Sequence, residues 1–216
     1  MKYRYAFFDM DGTVIDSSPG IFNSIKYTAK KMGLELPDDS ALRSFIGPPV
    51  VKSMAQYFNL PAEQAERLVG IYREYYGVTG LLECYVYEGI RELIAELSAR
   101  GVICVLATCK PHYYANRILA HLGMDTCFAY VSGPEIDGTR NEKHEVIAHA
   151  CEQLKISDLS SVLMIGDRDN DVRGASYHGI DCAGALWGFG SEEELRTAGA
   201  AHICATPADV VALFES

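Results

Sequence analysis

The feature that most constrains this chain is an alternation of short apolar runs with amphipathic stretches, many of them closed by a glycine. Tyr5–Phe8, Val102–Ala107, Phe128–Val131, Val162–Ile165 and Ile180–Ala185 are too continuously apolar to keep one face wet. They read as strands covered on both sides, as in a parallel sheet. Between them, Arg91–Arg100 stops at Gly101, His112–Leu122 at Gly123 and Val172–His178 at Gly179. A glycine just past a helix takes the left-handed conformation that ends it. Strands joined by helices predict a doubly wound, mainly parallel α/β sheet.

One region breaks this rhythm. Between Ile15 and about Leu82 no strand is predicted. Ser18 as N-cap and Pro19 at the first helical position open a helix with Ile21, Phe22, Ile25, Ala29 and Met32 on one face, closed by Gly33. Shorter helices are expected at Ala41–Phe45 and Val50–Phe58, and a longer one from Pro61 carrying Leu68, Ile71, Tyr72, Tyr75 and Tyr76. An all-helical block after the first strand reads as an inserted domain, residues 16–82, within a core of 1–15 and 83–216. The tyrosines at helical spacing are expected to pack that domain rather than to stack on a ligand.

Composition narrows the function. With 19 basic against 29 acidic residues, a net charge of −10, the chain repels nucleic acid and anionic membranes, so neither is an expected partner. No apolar run is long enough to span a bilayer, and residues 1–8 lack the apolar core of a signal peptide. The seven cysteines are odd in number and irregularly spaced, with no C-x-x-C pair, which predicts reduced thiols and a cytoplasmic protein. His144 and His149, five apart, make no zinc pair on a helix face.

The chemistry gathers where the predicted strands end. Phe7-Phe8-Asp9-Met10-Asp11-Gly12-Thr13 sends two carboxylates out of the first strand, two residues apart, so both can approach one small ligand. Like charges this close call for a cation or a proton. Thr108-Cys109-Lys110 follows the next strand and offers a hydroxyl, backbone N–H groups and a cation to phosphate before the helix after Pro111. With no paired base in that motif, Cys109 is expected to serve through its backbone rather than its thiol. Lys143 opens the helix Val146–Leu154, where a cation opposes the helix dipole and so requires an anionic partner. Gly166-Asp167-Arg168-Asp169-Asn170-Asp171 adds carboxylates after a further strand, with hard oxygens suited to Mg²⁺.

In order, Asp9-x-Asp11-Gly-Thr, Thr108, Lys143 and Gly166-Asp167-x-x-x-Asp171 resemble the four motifs of the haloacid dehalogenase-like hydrolase superfamily. The helical insert is similar to a C1 cap. Phe45-Ile46-Gly47-Pro48-Pro49 and Ile165-Gly166-Asp167-Arg168 resemble the phosphoglycolate phosphatase-like branch. Cys109 stands where Ser or Asn is commoner, and Lys143 lacks the usual following Pro.

The resemblance implies a Rossmann-like core and a Mg²⁺-dependent phosphatase acting on a small phosphorylated metabolite, such as phosphoglycolate or a nucleoside monophosphate. Asp9 would be the nucleophile and Asp11 the acid/base. Thr108, Cys109, Lys110 and Lys143 would hold the phosphoryl group. Mg²⁺ would be bound by Asp9, the Asp11 carbonyl and Asp167, supported by Gly12 and Asp171. Specificity would come from the cap around Arg43 and Gly47.

Competing readings are a sugar-phosphate mutase, disfavoured because no histidine precedes His112, and a pyrophosphatase. A dehalogenase would not need Asp11, and a receiver-like signalling module would lack the cap. Leaving group and oligomeric state have no signature in the chain.

Overall fold

A computed structural model describes residues 2–46 and 50–215. These form two compact units, residues up to Ile15 together with Val86 onward, and Asp16–Tyr85. The larger unit contains β1 (Tyr5–Phe8), and the chain leaves it through β2 (Ile15–Asp16). The helical unit comprises α1 (Ser18–Met32), α2 (Asp39–Arg43), α3 (Val50–Tyr57) and α4 (Ala62–Tyr76). The return crossing is β3 (Tyr85–Val86), which pairs with β2. The chain continues through α5 (Ile90–Ala99), β4 (Ile103–Ala107), α6 (His112–His121), β5 (Tyr130–Ser132) and α7 (Lys143–Gln153). It ends with β6 (Val162–Gly166), α8 (Asp169–Ser176), β7 (Asp181–Ala185), α9 (Glu192–Ala198), β8 (His202–Cys204) and α10 (Pro207–Ala212).

The large sheet has the order β5-β4-β1-β6-β7-β8 with every neighbouring pair parallel. The five predicted strands all occur in it. From β1 the chain builds outward through β4 and β5, then crosses to the opposite flank for β6, β7 and β8. The switch point therefore lies at β1, and ligands of open α/β sheets bind at the carboxyl ends beside such a point. Register makes this concrete. Phe8 pairs with Leu106 on one side and Ile165 on the other, so Asp9, Thr108 and Asp167 emerge side by side.

Beneath them Phe7, Val105, Val146, Ile147, Met164 and Val172 are fully buried in one cluster. Each such side chain contributes about 1.5–3 kcal/mol through its removal from water. That burial seats α7 and α8, which contact each other.

Three expectations need correction. The N-cap of α1 is Ser17, not Ser18, because the Asp16 carboxylate takes the Ser18 N–H at 2.8 Å and pulls the boundary back one residue. A strand does occur where the inserted block begins, at Ile15–Asp16, too short to leave a periodic signal. Beyond Ala185 no element is predicted, yet α9, β8 and α10 follow, with β8 extending the sheet beside β7.

Within the helical unit, α1 and α4 pack together, as do α3 and α4. The tyrosines serve that packing: Tyr72 and Tyr76 stack at 5.1 Å, and Tyr75 lies 5.4 Å from Tyr27. Gly20 is required, since a Cβ there would overlap the Gly80 carbonyl. Among the described residues no helix is long and apolar enough to cross a membrane.

Candidate active site

Asp9 follows β1 and is held in place by its own N–H, which donates to the Ile165 carbonyl at 2.9 Å. Its side chain is nearly buried, and Oδ1 accepts from Lys143 Nζ at 2.6 Å. Lys143, the first residue of α7, also donates to the Ala107 carbonyl at 2.9 Å and lies 2.8 Å from Asp171 Oδ1. The anionic partner that a lysine in a first helical turn requires is thus supplied twice. Burial alone would lower the Lys143 pKa, but Asp171 and Asp9 hold it well above its ordinary value, so it is charged.

Asp11 takes a different partner. Its Oδ2 lies 3.1 Å from Lys110 Nζ, and its Oδ1 is buried with no hydrogen-bond partner among the described residues. The two carboxylates two residues apart therefore each meet a separate lysine. This relieves their mutual repulsion.

Thr108 is buried, and its hydroxyl accepts from the Lys110 N–H at 3.1 Å, which curls the segment 108–110. Burial pushes the Cys109 thiol up to about 12, so it carries no thiolate near neutral pH.

Asp167 and Asp171 are fully buried. Asp171 Oδ2 accepts from the Arg168 N–H at 3.1 Å while Oδ1 faces Lys143, so both its oxygens already have neighbours. Asp167 accepts from the Thr13 hydroxyl on Oδ1 at 3.3 Å and from the Phe189 N–H on Oδ2 at 2.8 Å. Gly12, at φ +85°, is where the turn after β1 passes so near Asp167 that a Cβ would overlap its carboxylate.

Oxygen atoms of Asp9, Asp167 and Asp171 lie within 4.8 Å of one another. Burial, with Asp171 and Asp9 nearby, holds the Asp167 carboxyl well above its usual range. Burial likewise raises Asp9 to about 7 against the pull of Lys143. A cluster of buried carboxylates with one lysine among them fits a hard divalent cation such as Mg²⁺, which would favour their ionised forms.

Of the remaining predicted residues, Arg43 is exposed at the end of α2 in the helical unit. Gly47 lies outside the described residues, with Pro48 and Pro49. Sequence reasoning misses the segment after β7, where Phe189 contacts Asp167 and Trp187 Nε1 donates to the Thr13 carbonyl at 3.0 Å. The available signal is Gly188 and Gly190 flanking an aromatic shortly after a predicted strand.

A sequence profile described as haloacid dehalogenase-like hydrolase matches residues 6–185. A 5'-nucleotidase of Pseudomonas aeruginosa is 39% identical over 216 residues, which cover 100% of this chain and 97% of that protein. A tyrosine-protein kinase PtkA of Mycobacterium tuberculosis is 36% identical over 183 residues, 85% of this chain but only 62% of that protein. Among solved structures, a predicted phosphatase from Clostridium acetobutylicum superposes with a TM-score of 0.93 at 37% identity, covering 99% of both chains.

Proposed function

We propose, from the premise that this chain belongs to the haloacid dehalogenase-like hydrolase family, that it is a Mg²⁺-dependent phosphatase. It hydrolyses small phosphate monoesters through an aspartyl phosphate on Asp9. The observation that carries this reading is Asp9 at the carboxyl end of the central strand, 2.6 Å from Lys143 and clustered with Asp167 and Asp171.

In the first displacement, an Asp9 carboxylate oxygen attacks phosphorus as the bond from phosphorus to the leaving oxygen breaks. Asp11 gives its proton to the departing alkoxide. In the second, Asp11 takes a proton from the attacking water, the bond between phosphorus and Asp9 breaks, and inorganic phosphate departs. Lys143, the Thr108 hydroxyl, the Cys109 N–H and Lys110 hold the phosphoryl oxygens, and their value lies in charge and dipoles fixed beforehand. Asp9, Asp167 and the Asp11 carbonyl would hold Mg²⁺, which neutralises charge on the transferring group. Asp171 orients Lys143.

For the leaving group, the 5'-nucleotidase relative supports nucleoside 5'-monophosphates over phosphoglycolate. Arg43 is the cation we assign to leaving-group selection. A screen of phosphate release from nucleoside monophosphates, phosphoglycolate, sugar phosphates and pyrophosphate, with Mg²⁺, tests the reading. Turnover of nucleoside monophosphates with a hydroxylamine-labile phosphoenzyme is expected. No release from any monoester would overturn it.

A further inference from the structure

We infer that the segment Leu186–Gly190 is a positioning clamp for the Mg²⁺ site, with the Trp187 indole as its latch. The inference rests on the proposed reading that Asp167 holds that ion.

Gly166 of β6 pairs with Gly184 of β7, so the residues leaving β7 run beside Asp167 as it leaves β6. Two contacts then converge on the turn after β1 and on Asp167. Trp187 Nε1 donates to the Thr13 carbonyl at 3.0 Å, and the Phe189 N–H donates to Asp167 Oδ2 at 2.8 Å. Thr13 itself donates its hydroxyl to Asp167 Oδ1 at 3.3 Å. The result is a closed ring of contacts: Trp187 to Thr13, Thr13 to Asp167, Asp167 to Phe189, and back along the chain to Trp187.

Backbone packs against backbone here. A Cβ on Gly188 would overlap the Gly12 carbonyl oxygen and sit 2.5 Å from Asp167 Cβ, and one on Gly190 would overlap the Asp167 carbonyl. The glycines are therefore what lets the segment come close enough to donate. Both oxygens of a fully buried carboxylate are thereby aimed by donors belonging to two separate segments. The indole is a donor with no acceptor capacity, so its bond to Thr13 has one possible sense. Phenylalanine keeps an aromatic ring, smaller than the indole, and loses that bond. The indole N–H is spent on Thr13 rather than on the reacting atoms, so its role is to hold Thr13 and, through it, Asp167 at the angle the ion requires.

Trp187 is the only tryptophan in the chain, so tryptophan emission reports this clamp alone. The test is calorimetric titration of the wild type and Trp187→Phe with MgCl₂, alongside a fluorescence titration of the wild type. Circular dichroism and thermal unfolding of the metal-free proteins establish that both are folded. Trp187→Phe is expected to bind Mg²⁺ roughly five-fold more weakly, the scale of one hydrogen bond, and saturating Mg²⁺ should restore most of its turnover. The wild-type emission should change saturably with the calorimetric midpoint. Equal Mg²⁺ affinity in a folded Trp187→Phe would overturn the clamp while leaving the phosphatase reading intact. Should that variant fail to fold, wild-type emission that stays unchanged as calorimetry reaches saturation would overturn it instead. A wild type that binds no Mg²⁺ would overturn the metal reading and the clamp with it.

Discussion

At the scale of single residues, the two aspartates leaving β1 differ in their surroundings more than in their spacing. Asp9 shares a buried lysine with Asp171, whereas Asp11 pairs with Lys110 and keeps one oxygen without a partner among the described residues. Asp9→Asn preserves volume and removes the attacking oxygen, so phosphate release should fall to background with the circular dichroism spectrum unchanged. Residual turnover within about ten-fold of wild type would exclude Asp9 as nucleophile. Asp11→Asn should separate substrates by leaving group. Alkyl phosphates, which need the proton, should lose about 10²–10⁴-fold in kcat, and activated aryl phosphates much less. Steady-state comparison of the two classes decides, and equal losses would refute the acid role.

At the scale of elements, α9 is tied to the Asp167 segment by one carboxylate. Glu194 Oε1 accepts from Arg168 Nε at 2.7 Å and from the Asp169 N–H at 3.0 Å. Burial would raise the Glu194 pKa, but these two donors hold it below its usual 4.5. A carboxyl with a depressed folded pKa contributes stability above its unfolded value and loses it as pH falls through the folded one. Glu194→Gln should therefore cost about 1 kcal/mol at neutral pH, below the usual range for a charged hydrogen bond because the pair is about a quarter exposed. Urea unfolding from neutral pH downward should show the variant and wild type converging below pH 4.5. A constant gap across that range would mean the bond's charge contributes nothing. This tie is illegible in the sequence because α9 has seven residues, three of them consecutive glutamates, and no apolar stripe long enough to announce a helix. The edge strand β8 is missed as well: β5 is equally short but follows the apolar Phe128 and Ala129, whereas β8 opens on a histidine.

At the scale of the whole molecule, the proposed Mg²⁺ site ties metal binding to folding. A ligand that binds only the folded state stabilises by about 2.7 kcal/mol at about one hundred times its Kd, so Mg²⁺ should raise the melting temperature and EDTA should remove the increment. Asp167→Asn should abolish that response. Ca²⁺, with longer bonds and looser geometry, should stabilise without supporting turnover. A melting curve indifferent to both ions would speak against the buried acidic cluster as a metal centre. Specificity is the second property at this scale. Arg43→Ala should lower kcat/KM for the preferred monoester by roughly ten-fold, one charge-assisted hydrogen bond, and affect small aryl phosphates far less. Equal losses on both would assign selection to other residues.

The sequence alone determined the sheet class, five of its six strands, and which residues stand where those strands end. That information is local: an apolar run, a turn glycine, and the side chains immediately after it. Tertiary structure decided which charge faces which. That Lys143 meets Asp9 and Asp171 while Lys110 meets Asp11 depends on how β1, β4, β6 and α7 are laid side by side, over separations of up to 134 residues. Trp187 and Phe189 reach Thr13 and Asp167 only because β7 is in register with β6. Hydrogen bonds and ion pairs act over about 3 Å. Only the folded chain fixes positions that finely for residues so far apart in sequence.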